Sequence, residues 1–372
     1  MESMLFSPIS IGDLVINNRI VVAPMCQYSA IDGSATDWHL MHLGQFSVSG
    51  SGLVFIEATA VEKKGRITPG CLGLYSDDNE KELEKIVQFF KKYGNSKIGI
   101  QLAHAGRKAS TEIPWRGGLP LEEGNDQCWE TVAPSAESYS SNWPSPSELD
   151  SSGLKEILDF FVTAAKRSVK IGFDVIELHM AHGYLLHQFL SPVSNTRSDE
   201  YGQTLEGRMK FPLEVFRAVR NSIPENFPLG VRFSATDWIE DSSWDLTESI
   251  KFGQELKKLK CKFIDVSSGG NSPRQKILSG PAYQTGFAAE IKKKVGLTTI
   301  AVGQINEPFQ AESIIRTGQA DMVAIGRGML YNPRWAWHAA EVFSNECAYP
   351  PQYARAHHSL IGLPIPGNPQ NN

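Results

Sequence analysis

The sequence predicts an α/β protein folded as a TIM (β/α)₈ barrel with loop insertions. Eight short apolar runs rich in β-branched residues are typical of parallel strands that helices cover. Longer amphipathic stretches separate these runs, and eight strand–helix units favour closure into a barrel. The 372 residues are enough for one barrel of about 250 residues with generous insertions. The candidate strands are residues 20–24, 53–58, 98–102, 175–179, 229–233, 263–267, 299–303 and 322–326.

An open, doubly wound parallel sheet is the structural alternative. In its dinucleotide-binding version, a Gly-x-Gly-x-x-Gly turn follows the first strand and holds the phosphates. Residues 20–24 are followed by Met-Cys-Gln-Tyr and by no such glycine pattern. The barrel is therefore the preferred prediction.

Helical spacing is clearest in two of the connecting stretches. Residues 77–93 begin with Asp77, place Glu80 three positions later and then repeat apolar residues, which predicts a capped surface helix. Residues 154–169 repeat apolar residues in the same way. His39 and His42 fall in a predicted first helix, and we interpret them as structural.

Two regions interrupt the alternation. Residues 107–150 are rich in Gly, Pro, Trp and Ser and are too long for an ordinary connection. They follow the third strand at its C-terminal end, where active-site insertions of this fold occur. Residues 350–372 are rich in Pro and Asn. We expect one domain over residues 1–349, containing the insertion, and a C-terminal arm over 350–372.

Composition excludes several classes of partner. The net charge is −5 and Lys and Arg form no cluster, so a nucleic-acid partner is not expected. No apolar run approaches ~18 residues, and the first residues lack a secretory pattern, so neither a membrane span nor a signal peptide is expected. The cysteines are scattered without a Cys-x-x-Cys pair, which favours reduced thiols in the cytoplasm. They are Cys26, Cys71, Cys128, Cys261 and Cys347.

Polar residues and glycines gather at the C-terminal ends of the predicted strands, where the active site of a TIM barrel lies. Gly303, Gly326 and Arg327 follow strands seven and eight and predict a phosphate cradle built from free amides and a guanidinium. The alternative is two ordinary turn glycines and a surface arginine. Cys26 is either a small buried apolar residue or, at its strand tip, a cofactor contact.

Two histidines and a tyrosine follow the fourth strand. His179 and His182 could bind a metal, with His187 as the near third ligand, or could be buried core residues. As paired donors they could instead hold a substrate carbonyl oxygen while negative charge develops on it. Tyr184, a phenol with a pKa of ~10, would then supply a proton.

These strand ends together resemble the old yellow enzyme family, in particular its Cys-containing, xenobiotic-reductase-like class, also called thermophilic-like. The similarity covers residues 5–355, nearly the whole chain. The segments that carry it are residues 18–20, 23–28, 54–61, 65–70, 101–110, 179–184, 194–202 and 326–327.

The resemblance implies non-covalent FMN and an NADPH dehydrogenase that acts as an ene-reductase. NADPH or NADH would reduce the flavin, and flavin N5 would pass hydride to the C=C bond of an α,β-unsaturated carbonyl or nitro compound in a ping-pong sequence. The implied flavin contacts are Ala23, Pro24, Met25, Cys26, Ala58, Gln101 and Arg232, with Gly303, Gly326 and Arg327 at the phosphate. The implied substrate contacts are Tyr28, His179, His182 and Tyr184, the last as the proton donor.

The C-terminal region also resembles this class. Arg355 stands where some members place an arginine that enters the neighbouring subunit's pocket, and Ala356 stands at the position of an alternative tryptophan. A homodimer or homotetramer is therefore expected. Gln203 and Gly207 depart from the usual Gly and Asn, which we expect to affect a loop.

Three other functions are the alternatives. A dienoyl-CoA reductase-like or amine dehydrogenase-like protein would carry a Cys-rich cluster site and further domains, which this sequence lacks. A metal-dependent hydrolase would use His179, His182 and His187, without a flavin. A flavin-binding protein with no turnover of its own is the third, and the set of two histidines and a tyrosine argues against it.

Overall fold

A closed barrel of eight parallel strands forms the centre of the computed structural model, which describes residues 2–240 and 244–356. Each strand pairs with its neighbours in chain order, and the last pairs with the first. The TIM-barrel prediction and all eight predicted strands are confirmed. The strands are β1 (Ile20–Val22), β2 (Leu53–Ala60), β3 (Lys97–Ala103), β4 (Val175–Met180), β5 (Leu229–Ser234), β6 (Phe263–Ser267), β7 (Thr298–Val302) and β8 (Met322–Ile325).

Helices follow every barrel strand and bury their apolar faces against the sheet. In the third, Asp150 accepts a hydrogen bond from the Gly153 amide at 2.8 Å, and Gly172 ends the helix at a φ of +94°. Within the described ranges the helices are α1 (Asp37–Ser47), α2 (Asp77–Tyr93), α3 (Ser151–Ile171), α4 (Leu185–Leu190), α5 (Leu205–Ser222), α6 (Leu246–Lys258), α7 (Thr285–Val295), α8 (Pro308–Arg316), α9 (Arg327–Tyr331) and α10 (Trp335–Val342). None of these helices is long and apolar enough to cross a membrane.

The cap of α2 differs from the sequence-based expectation. The helix begins at Asp77, but its cap is Ser76, whose hydroxyl accepts from the Asn79 amide at 3.2 Å. With Ser76 as the cap, Glu80 lies one position beyond the capping-box site, and its carboxylate instead bonds to Arg167 and Lys170 of α3. The capping role inferred for Asp77 and Glu80 was therefore wrong.

A β-hairpin (Ile9–Ile11 and Leu14–Ile16) packs at the N-terminal end of the barrel. The sequence analysis did not predict this hairpin. Its Ile11 and Ile16 join a buried cluster with the first residues of β2 and β4. A further short strand pair, Val132–Ala133 with Ser147–Glu148, lies in the long segment between β3 and α3. The hairpin covers one end of the barrel, so only the C-terminal end is left to build a site.

Aromatic rings fill the barrel below the strand ends. Phe55 and Phe263 lie with ring centroids 6.0 Å apart. Gly99 and Gly230 give them room, since a Cβ on either glycine would lie within 2.5 Å of one of these rings. The interior is therefore a packed floor, and polar groups are confined to the layers above it.

Candidate active site

Three side chains at the end of β4 and just after it lie together at the C-terminal end of the barrel. The ring centroid of His179 lies 5.1 Å from that of His182 and 5.0 Å from that of Tyr184. His179 belongs to β4, and Tyr184 is the residue at the N-cap of α4. The structure thus brings together the three residues that the sequence grouped.

A chain of contacts sets the proton positions on the two imidazoles. His179 Nδ1 accepts from the Ala181 amide at 3.4 Å, which assigns its proton to Nε2. This Nε2 lies 3.3 Å from His182 Nδ1, and His182 Nε2 lies 2.6 Å from Ser267 Oγ. Both N–H groups therefore point to acceptors within the protein. An oxygen atom that accepts a hydrogen bond from either N–H would therefore replace one of these acceptors.

Burial keeps these groups uncharged. It lowers the pKa of His179 and of His182 well below the usual 6.5, and the positive charge of Arg232 lowers both further. Burial raises the pKa of Tyr184 well above 10. The site therefore offers two neutral imidazoles and a phenol that retains its proton at neutral pH.

Lys108 connects this group to the long segment after β3. Its ammonium lies 5.2 Å from the ring centroid of Tyr184 and 4.9 Å from that of Tyr139. It also donates to the carbonyls of His182 and Gly270, both at 2.9 Å. Burial lowers the pKa of Lys108 to about 8. The sequence analysis predicted no role for Lys108 or Tyr139. The position of Lys108 shortly after β3 was the available signal that it belongs to the site.

His187 lies in a separate buried network. Its Nδ1 accepts from the Gly183 amide at 2.9 Å, and its Nε2 lies 3.0 Å from Asp237 Oδ1. Ser191 donates to the other carboxylate oxygen of Asp237 at 2.6 Å. No group of three or more His, Cys, Asp or Glu side chains suited to a metal occurs in residues 2–240 and 244–356. The contacts of His187 hold the turn on which Tyr184 stands.

A β-bulge positions the loop after β1. The pairing of β2 with β3 shifts between Ile56 and Ala58, which leaves Glu57 as the extra residue. Its buried carboxylate accepts from the Gln27 amide at 3.0 Å, beside Cys26. Burial raises the pKa of Glu57 well above 4.5. The sequence analysis did not predict this role of Glu57, for which the available signal was one acidic residue in an apolar strand.

A pocket of about 480 Å³ extends from the barrel centre to the ends of β7 and β8. Gly303 borders it at a φ of +125°. A Cβ on Gly326 would lie 3.6 Å from Met25 Sδ, so this glycine leaves space between the end of β8 and the loop after β1. The pocket is lined by Arg232, Ser267, Tyr283, Gln284, Val302, Gly303, Gln304, Ile305, Asn306, Ala324, Gly326 and Arg327. Two guanidinium groups facing one pocket suit an anionic ligand such as a phosphate ester.

The barrel centre beside this pocket is polar and incompletely paired. Gln101 Nε2 donates to Glu177 Oε1 at 2.7 Å, and Arg232 Nε lies 3.4 Å from Asp265 Oδ2. Among the described residues, Glu177 Oε2, Arg232 Nε and both Asp265 oxygens have no hydrogen-bond partner. Buried polar atoms without partners often mark a site for a ligand or ion. A flat ring edged with donors and acceptors, such as a flavin, fits these residues.

The remaining predicted site residues lie at the same end of the barrel, with one exception. Ala58 and Gln101 are paired across β2 and β3. The ring of Tyr28 packs edge-on against Trp115 at 5.8 Å. Ala23, Pro24, Met25 and Cys26 follow β1 directly. The side chain of Arg355 and residues 357–372 of the expected arm lie outside the part of the chain that the structure describes.

The first helix supports the interpretation of its two histidines. His39 and His42 are buried in α1. His39 Nδ1 accepts from the Thr36 amide at 3.1 Å at the start of that helix. Burial lowers the pKa of both rings to about 4, so both are neutral in the folded protein.

Comparisons with known proteins agree on a family. Residues 4–346 match the NADH:flavin oxidoreductase / NADH oxidase family. The chain is 44% identical over 348 residues to an NADH:flavin oxidoreductase of Gibberella zeae, covering 89% of this chain and 84% of that protein. It is 40% identical over 357 residues to an NADPH dehydrogenase of Bacillus subtilis, covering 95% and 99%. The solved structure of morphinone reductase in complex with tetrahydroNAD shares the fold, with a TM-score of 0.76 at 23% identity over 93% of this chain and 92% of that one.

The Asp237 contacts predict a pH-dependent contribution to stability. Burial alone would raise the pKa of this carboxyl. The contacts with His187 and Ser191 lower the pKa by more than burial raises it, so the pKa lies below 3.8. Such a group stabilises the fold above its unfolded pKa of about 3.9, and the contribution is lost as pH falls through its folded pKa. At pH 7 we expect Asp237→Asn to lower the free energy of unfolding by about 1–3 kcal/mol.

Urea unfolding of the FMN-loaded protein at pH 7 and at successively lower pH measures this difference. The exposed Asp159→Asn in α3 is the control and should change little at either pH. The difference between Asp237→Asn and the wild type should narrow below about pH 3.9. A difference that stays constant down to pH 3 would mean that the charge of Asp237 is not its source.

Proposed function

The chain belongs to the NADH:flavin oxidoreductase / NADH oxidase family, the old yellow enzymes, and on that premise we propose that this FMN-linked NAD(P)H oxidoreductase is an ene-reductase. Its substrates would be α,β-unsaturated carbonyl or nitro compounds. The observation that carries the proposal is the group of two neutral imidazoles and one protonated phenol, His179, His182 and Tyr184, beside the pocket of Arg232 and Arg327.

The residues around that pocket would hold FMN. Arg327, with Gly303 and Gly326, would bind the phosphate, and Arg232 and Gln101 would face the polar edge of the ring. Bound there, FMN would supply the two-electron redox chemistry that couples oxidation of NAD(P)H to reduction of the substrate. The loop from Ala23 to Cys26, fixed by Glu57, would cover another edge of the ring together with Ala58.

The histidine pair would bind the substrate oxygen. His179 Nε2–H and His182 Nε2–H are the available donors, and the substrate oxygen would replace His182 Nδ1 or Ser267 Oγ as their acceptor. Because both rings are neutral, the bound oxygen meets N–H dipoles and no full positive charge from them. This polarises the carbonyl or nitro group and leaves the β-carbon electron-poor. Tyr28 would close the substrate pocket.

Tyr184 would give its proton to the carbon next to the polarised group. A phenol with a raised pKa is a poor acid by itself, so a favourable position must compensate. The Lys108 ammonium, 5.2 Å from the Tyr184 ring centroid, places a positive charge near the phenolate that forms. We assign Lys108 this supporting role in proton transfer.

The visible spectrum of the purified protein tests the whole proposal in one cuvette. We expect a yellow protein that loses its colour with NADPH in the absence of oxygen and regains it on addition of 2-cyclohexenone. Loss of the yellow colour without its recovery would show that NADPH reduces the flavin and that the enone is not a substrate. A colourless protein that cannot be reconstituted with FMN would overturn the cofactor assignment.

Tyr184→Phe separates the two half-reactions. Removing the phenol should slow enone reduction by about 10²–10⁴-fold, because general-acid catalysis contributes that much. Flavin reduction by NADPH needs no proton from Tyr184 and should remain close to the wild-type rate. Anaerobic stopped-flow absorbance measures both steps, with Tyr331→Phe as the control, because the Tyr331 side chain is 94% exposed. Equal loss of both rates would show that Tyr184 is not a dedicated proton donor.

We also propose that the enzyme is a homodimer or homotetramer in which Arg355 reaches a neighbouring active site. Leu40 and Met41 of α1 and Tyr93 of α2 are exposed, and with Tyr353 they border a groove of about 690 Å³ next to the C-terminal segment. An apolar surface of this kind supports self-association. Analytical ultracentrifugation should give two or four times the chain mass of 41.1 kDa. A monomer at micromolar concentration would refute both the assembly and the role of Arg355.

A further inference from the structure

One buried guanidinium fixes the long segment between β3 and α3 to the mouth of the barrel. Arg107 donates to the carbonyls of Glu137 at 3.0 Å and of Ser138 at 3.3 Å. It also donates to the Asn271 carbonyl at 2.8 Å, in the loop after β6. Hydrogen bonds from a charged donor are stronger than those between neutral groups. The main chain that leads into Tyr139 therefore has a fixed place above the strand ends.

The Tyr139 ring faces the same ammonium as the ring of Tyr184. Lys108 Nζ lies 4.9 Å from the centroid of Tyr139 and 5.2 Å from that of Tyr184, within the ~6 Å range of cation–π attraction. The ammonium also donates to the carbonyls of His182 and Gly270, both at 2.9 Å. Two rings and two carbonyls thus surround it, and of these four groups Tyr139 alone comes from the long segment.

The Tyr139 ring is itself supported. Trp143 packs against it with ring centroids 4.8 Å apart, and the guanidinium carbon of Arg107 lies 5.9 Å from its centroid. Burial raises the pKa of Tyr139 above the usual 10, so the phenol is neutral at pH 7. Its contact with Lys108 is therefore that of an aromatic ring with a cation, and no ion pair is involved.

We propose that Tyr139 is a positioning residue that holds the Lys108 ammonium beside Tyr184. The proposal rests on the proposed function, in which Tyr184 gives up its proton and becomes a phenolate. A positive charge held close to the developing phenolate stabilises it, and this stabilisation weakens as the separation of the two charges grows. Tyr139 acts through Lys108 and needs no contact with the substrate for this role.

The titration of Lys108 makes this role visible in a pH profile. Burial and the charge of Arg107 lower the pKa of Lys108 to about 8. Burial keeps the other titratable groups that face the ammonium neutral at pH 7, namely His179, His182, Tyr139 and Tyr184. The ammonium is present below its pKa and is lost above it, so enone reduction should slow as pH rises through 8. This slowing should be weaker in a variant that no longer holds the ammonium in place.

Two substitutions of Tyr139 in the full-length, FMN-loaded protein test the proposal by anaerobic stopped-flow absorbance. Tyr139→Leu removes the ring and should slow oxidation of the reduced flavin by 2-cyclohexenone about 3- to 30-fold at pH 7, as expected for a lost cation–π contact. Flavin reduction by NADPH should stay close to the wild-type rate. Tyr139→Phe keeps the ring and should restore enone reduction, and the exposed Tyr331→Leu is the control. Equal loss of both rates, or an equal loss in Tyr139→Phe, would overturn the proposal.

A double variant shows whether Tyr139 acts through Lys108. In a Lys108→Met protein no ammonium is left to position, so adding Tyr139→Leu should slow enone reduction no further. The dependence of that rate on pH between 7 and 9 should also be the same in the single and the double variant. If the effects of the two substitutions multiply, Tyr139 acts independently of Lys108 and the proposal is wrong.

Acetylation of Lys108 separates this proposal from that of the ene-reductase, because it requires no turnover. Trace acetic anhydride, followed by peptide mapping, measures how fast Lys108 is modified. Tyr139→Leu should raise that rate several-fold because the ammonium is released, whereas Tyr139→Phe should leave it unchanged. If this result holds in a protein that does not reduce the enone, the ene-reductase proposal fails and the positioning of Lys108 stands. Equal acetylation in Tyr139→Leu and the wild type would overturn the positioning role.

Discussion

The candidate site depends on one close crossing of main chains, where the loop after β4 passes the loop after β6. A Cβ on Gly183 would lie 2.3 Å from the Gly270 carbonyl oxygen, so the two glycines are required by space as well as by their positive φ. His182 also adopts a φ of +60°, which costs a non-glycine residue on the order of 1 kcal/mol. Its amide donates to Ser234 and its carbonyl accepts from Lys108, and these contacts offset that strain. The direction of the His182 imidazole follows from this crossing, whereas that of His179 is set by β4.

Charge balance is the second constraint on the barrel centre. Arg232 lies between two buried carboxyl groups, Glu177 and Asp265, and one cation balances only one carboxylate. Burial and the charge of Asp265 raise the pKa of Glu177 to about 8, so this acid is mostly protonated at neutral pH. The centre therefore stays near neutrality without a ligand. An anionic cofactor adds negative charge at the other end of the pocket, where Arg327 faces it.

Local sequence patterns were sufficient for the barrel and for the residues at its strand ends. Each strand is buried on both faces, so its apolar run is visible without knowledge of its neighbours. The roles of Glu57 and His187 were not predicted because each depends on a partner distant in the chain. The N-cap at Ser76 was missed although its partner, the Asn79 amide, is local. Glu57 acts through a shift in strand register, and the capping box expected from Asp77 and Glu80 does not form because the helix is capped by Ser76, one residue earlier.

The proton arrangement on the histidines links substrate binding to the rest of the site. In the structure, His179 donates towards His182 and His182 donates towards Ser267, so neither N–H is free. A substrate oxygen that replaces one acceptor leaves a buried imidazole nitrogen or a serine hydroxyl without its partner, which costs roughly 1–3 kcal/mol unless the ligand supplies a new one. A ligand with a strong acceptor offsets that loss, whereas an alkene without a carbonyl or nitro group does not. If the proposed ene-reductase activity holds, selectivity for activated double bonds would follow from the hydrogen bonds that the site gives up as well as from those that it gains.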